Sequence, residues 1–411
     1  MKNIEVQKTI LSNGLSVITA CRDSDIFSLG MGIKAGSLYE DKDNNGIAHM
    51  VEHMLFKGTI NRNMDRLNDD IERLAGDIDI YTTYGSTVLT ADVMKEKGEE
   101  CLEIISDMMM NSIFPEREFR LEKKVIIEEI KMDKDDPEEQ SYLGLFKAAF
   151  PESWHKYYIA GTIKSVKGIK INMLKEFYRN YYVPKNAAIC VVSSYSHDEV
   201  VNMVEKYFGK WVGKEAPVLA EGKYAINPRR VVRHRKGLSQ THLIYAFDIQ
   251  SLSRREEVAL TLLNEKIGAG ANSILFKELR DKRGYAYSVY SSIDFIKNLK
   301  MFYIYAGISE ENLKDTMNVI EKVIDNCKKN ELGINEESIK TIKDMFFTHM
   351  AIALESSSHM VEYLLDGEIN YENPLNFQEV LEMMNSINVE DIKGVIEKVF
   401  KEPLIHILLP A

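Results

Sequence analysis

Apolar and polar positions follow two periods along this chain, and the periods alternate. A period of two residues, or a short continuous apolar run, predicts strands at 15–20, 27–35 and 187–192 and a hairpin at 78–94. A period near 3.6 residues predicts helices at 64–75, 99–112 and 116–134, further helices from there through 174–180, and another that ends at Phe208. One more helix is predicted to start near Asn45, directly after the second strand. The first half is therefore expected to be an α+β unit around its own core.

A similar succession returns in the second half. Strands are predicted at 241–248, 286–295 and 302–308, with a long helix at 254–267 and helices from the last strand to the end. Because the order is similar in the two halves, we expect an internal duplication that gives two homologous α/β-sandwich domains. The polar stretch between them predicts a linker. The expected domains are residues 1–213 and 231–411, joined by the linker 214–230.

Composition excludes several classes of protein. The chain has 411 residues, of which 45% are hydrophobic, and this is enough for two domains with substantial cores. A chain of this length is too long to be a small module held together by a metal ion. The net charge is −11 and charges of both signs are intermingled, so no basic stripe is present for nucleic acid. No run approaches the roughly 18 apolar residues of a membrane span, and the first residues have no apolar signal core. We expect a cytoplasmic protein with no membrane association and four reduced, unpaired cysteines.

The segment His49-Met50-Val51-Glu52-His53 carries the clearest chemistry, and it lies on the helix predicted near Asn45. Two histidines four residues apart stack on one face of a helix, and Glu52 lies beside them. A catalytic zinc ion takes three protein ligands and leaves its fourth position to water. His49 and His53 therefore predict two ligands, and Glu52 predicts the base that takes a proton as the water attacks a carbonyl.

The third ligand must come from another element, and the helix predicted at 116–134 offers three glutamates. Glu122 and Glu129 are seven positions apart, which places them on one face, whereas Glu128 is rotated away. We therefore predict Glu129 as the third ligand. Glu122 is predicted to accept a hydrogen bond from a ligand imidazole and fix its tautomer, although a solvated role is common for a helical glutamate.

The inverted order His-x-x-Glu-His, within the longer run from Gly46 to Thr59, resembles that of the inverzincins. This zinc peptidase family includes pitrilysin, insulin-degrading enzyme and the β subunit of the mitochondrial processing peptidase. The similarity covers nearly the whole chain, and its length corresponds to the short, two-domain bacterial-type members. Glu129 and Glu122 stand at the family's two glutamate positions. The resemblance implies peptide hydrolysis with one Zn²⁺ per chain.

A second block of resemblance spans residues 268–287. It implies that Arg280 and Tyr287 reach the substrate carbonyl at the zinc, where a guanidinium and a phenol stabilise the oxyanion. The residues alone would place Arg280 at a solvated helix end and Tyr287 at the start of a packed strand.

The resemblance also implies a substrate-binding strand, and this chain departs from the family there. The family strand corresponds to residues 75–82, so that Asp79 and Ile80 are expected to contact the peptide. Asp79 replaces an asparagine. An ionised aspartate accepts hydrogen bonds but donates none, so a basic substrate residue is favoured. Gly85 stands where the family often has glutamate.

Family members enclose their substrate in a clam-like chamber of four such domains, so a chain with two domains corresponds to half of one. The resemblance therefore implies a partner, either a second copy or a related chain without zinc ligands. We favour a homodimer because this chain holds both the zinc motif and the Arg280/Tyr287 block. The expected function is a zinc endopeptidase that cuts peptides or short unfolded segments. The alternative is a non-catalytic or heterodimer-dependent subunit that binds peptide and supports an active partner. General peptide turnover and dedicated leader-peptide maturation both remain open.

Overall fold

The computed structural model of the chain describes residues 5–219, 224–296 and 299–411. The strands in these ranges are β1 (Val6–Ile10), β2 (Ser16–Cys21), β3 (Ile26–Ile33), β4 (Asp77–Thr82), β5 (Thr87–Met94), β6 (Ala187–Ser193), β7 (Arg229–Arg235), β8 (Thr241–Asp248), β9 (Ala286–Ile296), β10 (Leu299–Ile308) and β11 (Leu404–Pro410). The helices are α1 (Ile47–Leu55), α2 (Met64–Arg73), α3 (Gly98–Asn111), α4 (Glu116–Asp135), α5 (Pro137–Ala149), α6 (Ile163–Gly168), α7 (Ile171–Tyr181), α8 (His197–Phe208), α9 (Arg254–Ile267), α10 (Leu313–Lys328), α11 (Glu336–Glu355), α12 (Ser357–Tyr371), α13 (Asn376–Ser386) and α14 (Val389–Val399).

The described residues form two compact units. Those of the first unit lie within Met1–Lys131, Tyr157–Ala220 and Met350–Gln378, and those of the second within Met132–Lys156, Glu221–His349 and Glu379–Ala411. Each unit therefore includes one segment from the other half of the chain, which the continuous predicted domains 1–213 and 231–411 do not. Residues 220–223 of the predicted linker 214–230 lie outside the described residues, and its last two residues begin β7.

The first unit is built on a six-stranded sheet in the order β1-β2-β6-β3-β5-β4. β2 and β6 are parallel, and the other neighbouring strands are antiparallel. The core on one face of this sheet combines apolar side chains of α1, α3, α7 and α8 with those of the central strands. β4 is the outermost strand, so that one side of its backbone has no strand partner among the described residues.

The other face of the first sheet is covered by α12, which comes from the second half of the sequence. Two glycines on β3 permit this close approach. A Cβ atom at Gly30 would overlap the side chain of Val361, and one at Gly32 would overlap the side chain of Ile369. Because the sheet is apolar on this face as well, α12 keeps water from the back of β3.

Polar contacts also hold α12 on the first sheet, and a glycine permits the close packing of α5 on the second sheet. Glu368 of α12 is buried and accepts hydrogen bonds from Lys8 Nζ at 2.6 Å and Ser16 Oγ at 2.8 Å. In the second unit, α5 packs on the sheet in the same way. A Cβ atom at Gly144 would lie 2.5 Å from Nε2 of the buried His406 on β11.

The second unit is built on a five-stranded sheet in the order β7-β11-β8-β10-β9. β7 and β11 are parallel, and the other neighbours are antiparallel. In chain order, β7 to β11 therefore repeat β2 to β6 in both spatial order and direction. The predicted duplication of an α+β unit is confirmed, with α9 in the place of α1. α9 contains no histidine, as expected if only the first of the two units carries the metal motif.

The sequence analysis was wrong for one element and missed two others. Helices were expected to the end, but Leu404–Pro410 is the strand β11. The pattern of a short apolar run does not distinguish a buried strand from a buried helix. Which of the two forms depends on the elements that pack beside the run in the folded chain. β1 and β7 were not predicted. Both are edge strands with mostly exposed side chains, which removes the apolar alternation by which a strand is recognised.

No helix in the described ranges combines the length and apolar character that a bilayer-spanning segment requires.

Candidate metal centre

Helix α1 buries one face in the core of the first unit and turns the other towards the candidate site. Its buried residues are Ile47, Ala48, Met50, Val51, Met54 and Leu55. The helix begins after Gly46, whose φ of 95° lies in the left-handed region that favours glycine. A Cβ at Gly46 would also lie 2.6 Å from the carbonyl oxygen of Ala160. The polar side chains of the motif thus share the remaining face.

The two histidines of α1 meet a carboxylate from α4. The rings of His49 and His53 stand edge to face, with centroids 4.6 Å apart. One ligand atom each from His49, His53 and Glu129 lies within 4.8 Å of the others. Nε2 of His53 is 3.5 Å from Oε2 of Glu129. The structure therefore brings together the three side chains that were predicted as ligands.

The helical-face argument for Glu129 agrees with the geometry of α4. Glu129 faces α1, and its Oε2 is buried and has no hydrogen-bond partner in the described part of the chain. Glu128 is exposed and pairs with Lys131 at 2.8 Å, one turn further along the same helix. Glu128 therefore lies away from the histidines.

Glu122 orients one of the imidazoles. His53 Nδ1 lies 3.0 Å from Glu122 Oε2, and Lys57 Nζ lies 3.0 Å from Glu122 Oε1. Burial opposes the ionisation of Glu122, but the hydrogen bonds from His53 and Lys57 outweigh it and lower its pKa. An ionised Glu122 accepts the Nδ1–H of His53, which leaves the Nε2 lone pair on the side of Glu129.

Glu52 lies beside the histidines and is held by β4. Thr82 Oγ1 donates a hydrogen bond of 2.6 Å to Glu52 Oε2. Burial raises the pKa of Glu52 to about 7, although Thr82 and His53 act in the opposite direction. A carboxylate with a pKa near neutrality can accept and return a proton, and a bound cation would lower this pKa again.

The two histidines differ in how readily they bind a proton. Burial, with the neighbouring His53, lowers the pKa of His49 to about 4, so His49 is neutral at pH 7. Burial acts to lower the pKa of His53 as well, but the carboxylates of Glu122, Glu129 and Glu52 raise it above its ordinary value. A cation that binds His53 competes with this proton.

These residues fit a zinc ion. Two imidazoles and a carboxylate are the donor types that zinc takes, and three protein ligands leave a position for water. Among the described residues, Oε2 of Glu129 is buried and accepts no hydrogen bond, although Nε2 of His53 lies 3.5 Å away, and a cation at this position would satisfy it. In the described part of the chain, one group of three such side chains converges in this way.

The predicted substrate residues lie on β4, the edge strand of the first sheet. Ile80 packs against the core on the side of α1. It shares that face with Thr82, which contacts Glu52. Asp79 points to the opposite face and is exposed. Alternation along the strand therefore places Ile80 near the motif helix and Asp79 behind it.

Arg280 and Tyr287 lie next to each other in the second unit. Arg280 belongs to a π-helical turn, Phe276–Asp281, and its Nη1 donates to the carbonyl of Tyr287 at 3.2 Å. Its guanidinium carbon is 5.3 Å from the centroid of the Tyr287 ring. The Tyr287 side chain, on β9, is 78% exposed. The two residues therefore form a cation–π pair with a phenol open to solvent.

Two family descriptions match the chain in succession. Residues 17–161 match "Insulinase (Peptidase family M16)", and residues 168–346 match "Peptidase M16 inactive domain". The chain belongs to peptidase family M16. The resemblance to the inverzincins is thus confirmed at the level of the family. The zinc motif and Glu129 lie in the first matched region, and the Arg280/Tyr287 pair lies in the second.

Relatives that are named as zinc proteases, and a solved protease structure, match over nearly the full length. A Bacillus subtilis protein named as an uncharacterized zinc protease is 28% identical over 375 residues, which cover 91% of this chain and 90% of its own. A Mycobacterium leprae protein with a similar name is 28% identical over 398 residues, 95% of this chain and 88% of its own. The crystal structure of a Helicobacter pylori protease superposes with a TM-score of 0.91 at 23% identity, covering 99% of this chain and 100% of its own. This last likeness shows a shared fold.

Sequence reasoning missed two residues of this M16 site, Thr82 and Lys57. Lys57 stands one turn after His53, so helical spacing could have indicated it. Thr82 stands two residues after Ile80 on the same face of β4, so strand alternation could have indicated it once the strand was placed beside α1.

Proposed function

We propose that this M16 chain is a zinc-dependent endopeptidase that hydrolyses peptides or short unfolded segments. The observation that carries the proposal is the convergence of His49, His53 and Glu129 with Glu52 beside them. The three converging side chains are the ligands that we assign to zinc. Glu52 is then left for acid–base chemistry, and a protein that only binds peptide has no need of that fourth group.

When bound, zinc supplies Lewis acidity that makes a water molecule more acidic and polarises the scissile carbonyl. Glu52 accepts the proton of the attacking water and passes it to the amine that leaves. Thr82 holds Glu52 Oε2 by a 2.6 Å hydrogen bond, so Oε1 is the oxygen that we assign to this transfer. Glu122 keeps His53 in the tautomer that leaves Nε2 free for the metal.

The substrate residues follow from the same proposal. An extended peptide would add to the open edge of β4, where Ile80 contacts it and Asp79 favours a basic side chain. Arg280 and Tyr287 would stabilise the oxyanion, since both carry donors and the phenol is exposed.

We also propose that the working form is a homodimer, because one chain carries both the zinc motif and the Arg280/Tyr287 block. The molar mass of the purified chain, measured by light scattering on a sizing column, should correspond to two copies. A stable, active monomer would contradict this.

The hydrolytic proposal is tested with the purified full chain and quenched fluorescent peptides. Wild-type protein should cleave, a chelator should abolish cleavage, and added Zn²⁺ should restore it. Glu52→Gln should bind zinc normally but reduce kcat by about 10² to 10⁴-fold, the usual contribution of a general base.

A matched control is Glu128→Gln, an exposed carboxylate of the same unit, which should leave kcat unchanged. Cleavage by Glu52→Gln at the wild-type rate would refute the mechanism. Peptide binding with no cleavage by the wild-type chain would instead favour the non-catalytic subunit.

A further inference from the structure

Glu40 is a buried carboxylate that the proposed mechanism does not use, and it lies at the start of the motif helix. It is 6% exposed. Its Oε1 accepts the backbone N–H of Ala48 at 2.9 Å, and its Oε2 accepts that of Gly46 at 2.8 Å. Oε2 also accepts Nδ2 of Asn45 at 2.9 Å. Both carboxylate oxygens are therefore engaged by donors at one helix end.

This contact replaces the usual helix cap. Glycine precedes α1, and Gly46 has no side chain with which to cap the first N–H groups. Glu40 satisfies them from outside the helix. Burial raises the pKa of Glu40 to about 8, although the donors of Ala48, Gly46 and Asn45 act in the opposite direction. Asn45 extends the contact, since its Nδ2 also donates to the carbonyl of Tyr158 at 3.1 Å. The first turn of α1 is thus tied to two neighbouring segments.

The two histidines of the metal centre differ in how they are held. His53 is oriented by its own hydrogen bond to Glu122. His49 Nδ1 is buried and has no hydrogen-bond partner in the described residues. The position of His49 must therefore come from packing and from the backbone of the first turn, and Ala48, which Glu40 holds, directly precedes it.

We propose that Glu40 is a positioning residue for His49: its carboxylate fixes the first turn of α1 and so places this imidazole for the metal. The inference rests on the proposed zinc site. Glutamine is a poor replacement, because its NH₂ group would face either the N–H of Ala48 or the donors of Gly46 and Asn45. Aspartate keeps both carboxyl oxygens but is one methylene too short to span both sets of donors.

The test measures the zinc dissociation constant of the full chain by chelator competition, and amide hydrogen exchange of residues 46–50 in zinc-free protein. Glu40→Gln should weaken zinc binding about tenfold, at the lower end of the range for residues that orient ligands. It should also accelerate exchange at Gly46 and Ala48. The matched control is Glu368→Gln, which removes another buried carboxylate of the same unit on the opposite face of the sheet. It should lower thermal stability without changing zinc affinity.

Unchanged zinc affinity in Glu40→Gln, or equal weakening in both variants, would overturn the proposal. If Glu40→Gln does not fold, Glu40→Asp takes its place, and wild-type affinity in that variant would likewise overturn it. Failure of the wild-type chain to bind zinc would refute the proposed function instead. Hydrogen exchange in zinc-free protein would then still decide whether Glu40 holds the first turn of α1.

Discussion

Glu122 and Glu129 face α1 from the same side of α4, yet their neighbours differ. Glu122 already has two donors, His53 and Lys57, each at 3.0 Å. Glu129 has a buried oxygen that accepts no hydrogen bond from the residues that the structure describes. A buried acceptor without a partner is costly, and a cation removes that cost. The hydrogen-bond partners of the two carboxylates therefore distinguish Glu129, the proposed ligand, from Glu122, which orients a ligand.

Zinc content tests this assignment. Glu129→Ala should weaken zinc binding by more than about 100-fold, because loss of a residue that only orients a ligand already costs about 10- to 100-fold. Glu128→Ala, its neighbour on the exposed side of α4, should retain the wild-type zinc content after dialysis, as measured by atomic emission. Equal loss of zinc in the two variants would contradict the helical-face argument.

At the scale of residues, the sequence predicted those relations that depend on spacing along one element. The seven-residue interval between Glu122 and Glu129 determines a shared helix face, and the four-residue interval does so for His49 and His53. Thr82 was not predicted, because its hydrogen bond to Glu52 joins β4 to α1. No periodicity within either element encodes that contact.

At the scale of elements, α1 and α9 show which features the two copies of the duplicated unit share. Both helices follow the equivalent strand, β3 or β8, and both bury an apolar face in the core of their unit. Of these two helices, α1 carries histidines and α9 does not. The apolar face is required for folding, whereas the polar face can change without loss of packing. One copy can therefore hold the metal site while the other lacks it.

The contact of α12 with β3 gives a prediction about stability. Gly32→Ala should destabilise the first unit by about 1–3 kcal/mol, since the added methyl overlaps Ile369 in a packed interface. The control is Gly394→Ala on α14, where no atom lies within 4 Å of the new methyl. That change should stabilise the helix by about 0.5–1 kcal/mol. Thermal unfolding followed by calorimetry measures both, and equal shifts of the same sign would contradict the packing argument.

Prediction of elements succeeded where burial imposes a pattern. The strand 241–248 and the helix 254–267 were predicted with the observed bounds, because one has a continuous apolar run from Leu243 to Phe247 and the other has a regular apolar face. The edge strands β1 and β7 were missed, since their mostly exposed side chains do not show that pattern. β11 was misassigned because its apolar run does not specify a period.

At the scale of the molecule, neither half of the chain contains all of its own unit. The first sheet needs α12 from residues 350–378 to cover its second face, and the second unit includes α5 from residues 132–156. The buried Glu368 ties α12 to β1 by an ion pair with Lys8 and to β2 by a hydrogen bond from Ser16. The two halves must therefore be present together for either to bury its apolar surface.

Dissection of the chain tests this dependence. A fragment of residues 1–213 should lack cooperative thermal unfolding, because the face of β3 next to α12 is exposed. Coexpression with residues 350–378 should restore cooperative unfolding. A peptide that carries Val361→Asp and Leu365→Asp should not, because charges replace the groups that pack on Gly30 and Gly32. Cooperative unfolding of the isolated fragment would contradict the prediction.

The sequence by itself determined the duplicated α+β plan, the helix that presents His49, Glu52 and His53, and the face shared by Glu122 and Glu129. These features depend on periods within single elements and on the known preferences of zinc for its donors. Only the tertiary structure decided that Thr82 holds Glu52, that Glu40 caps the motif helix and that α12 completes the first sheet. Those relations join residues from different elements, and packing of the whole chain brings them into contact.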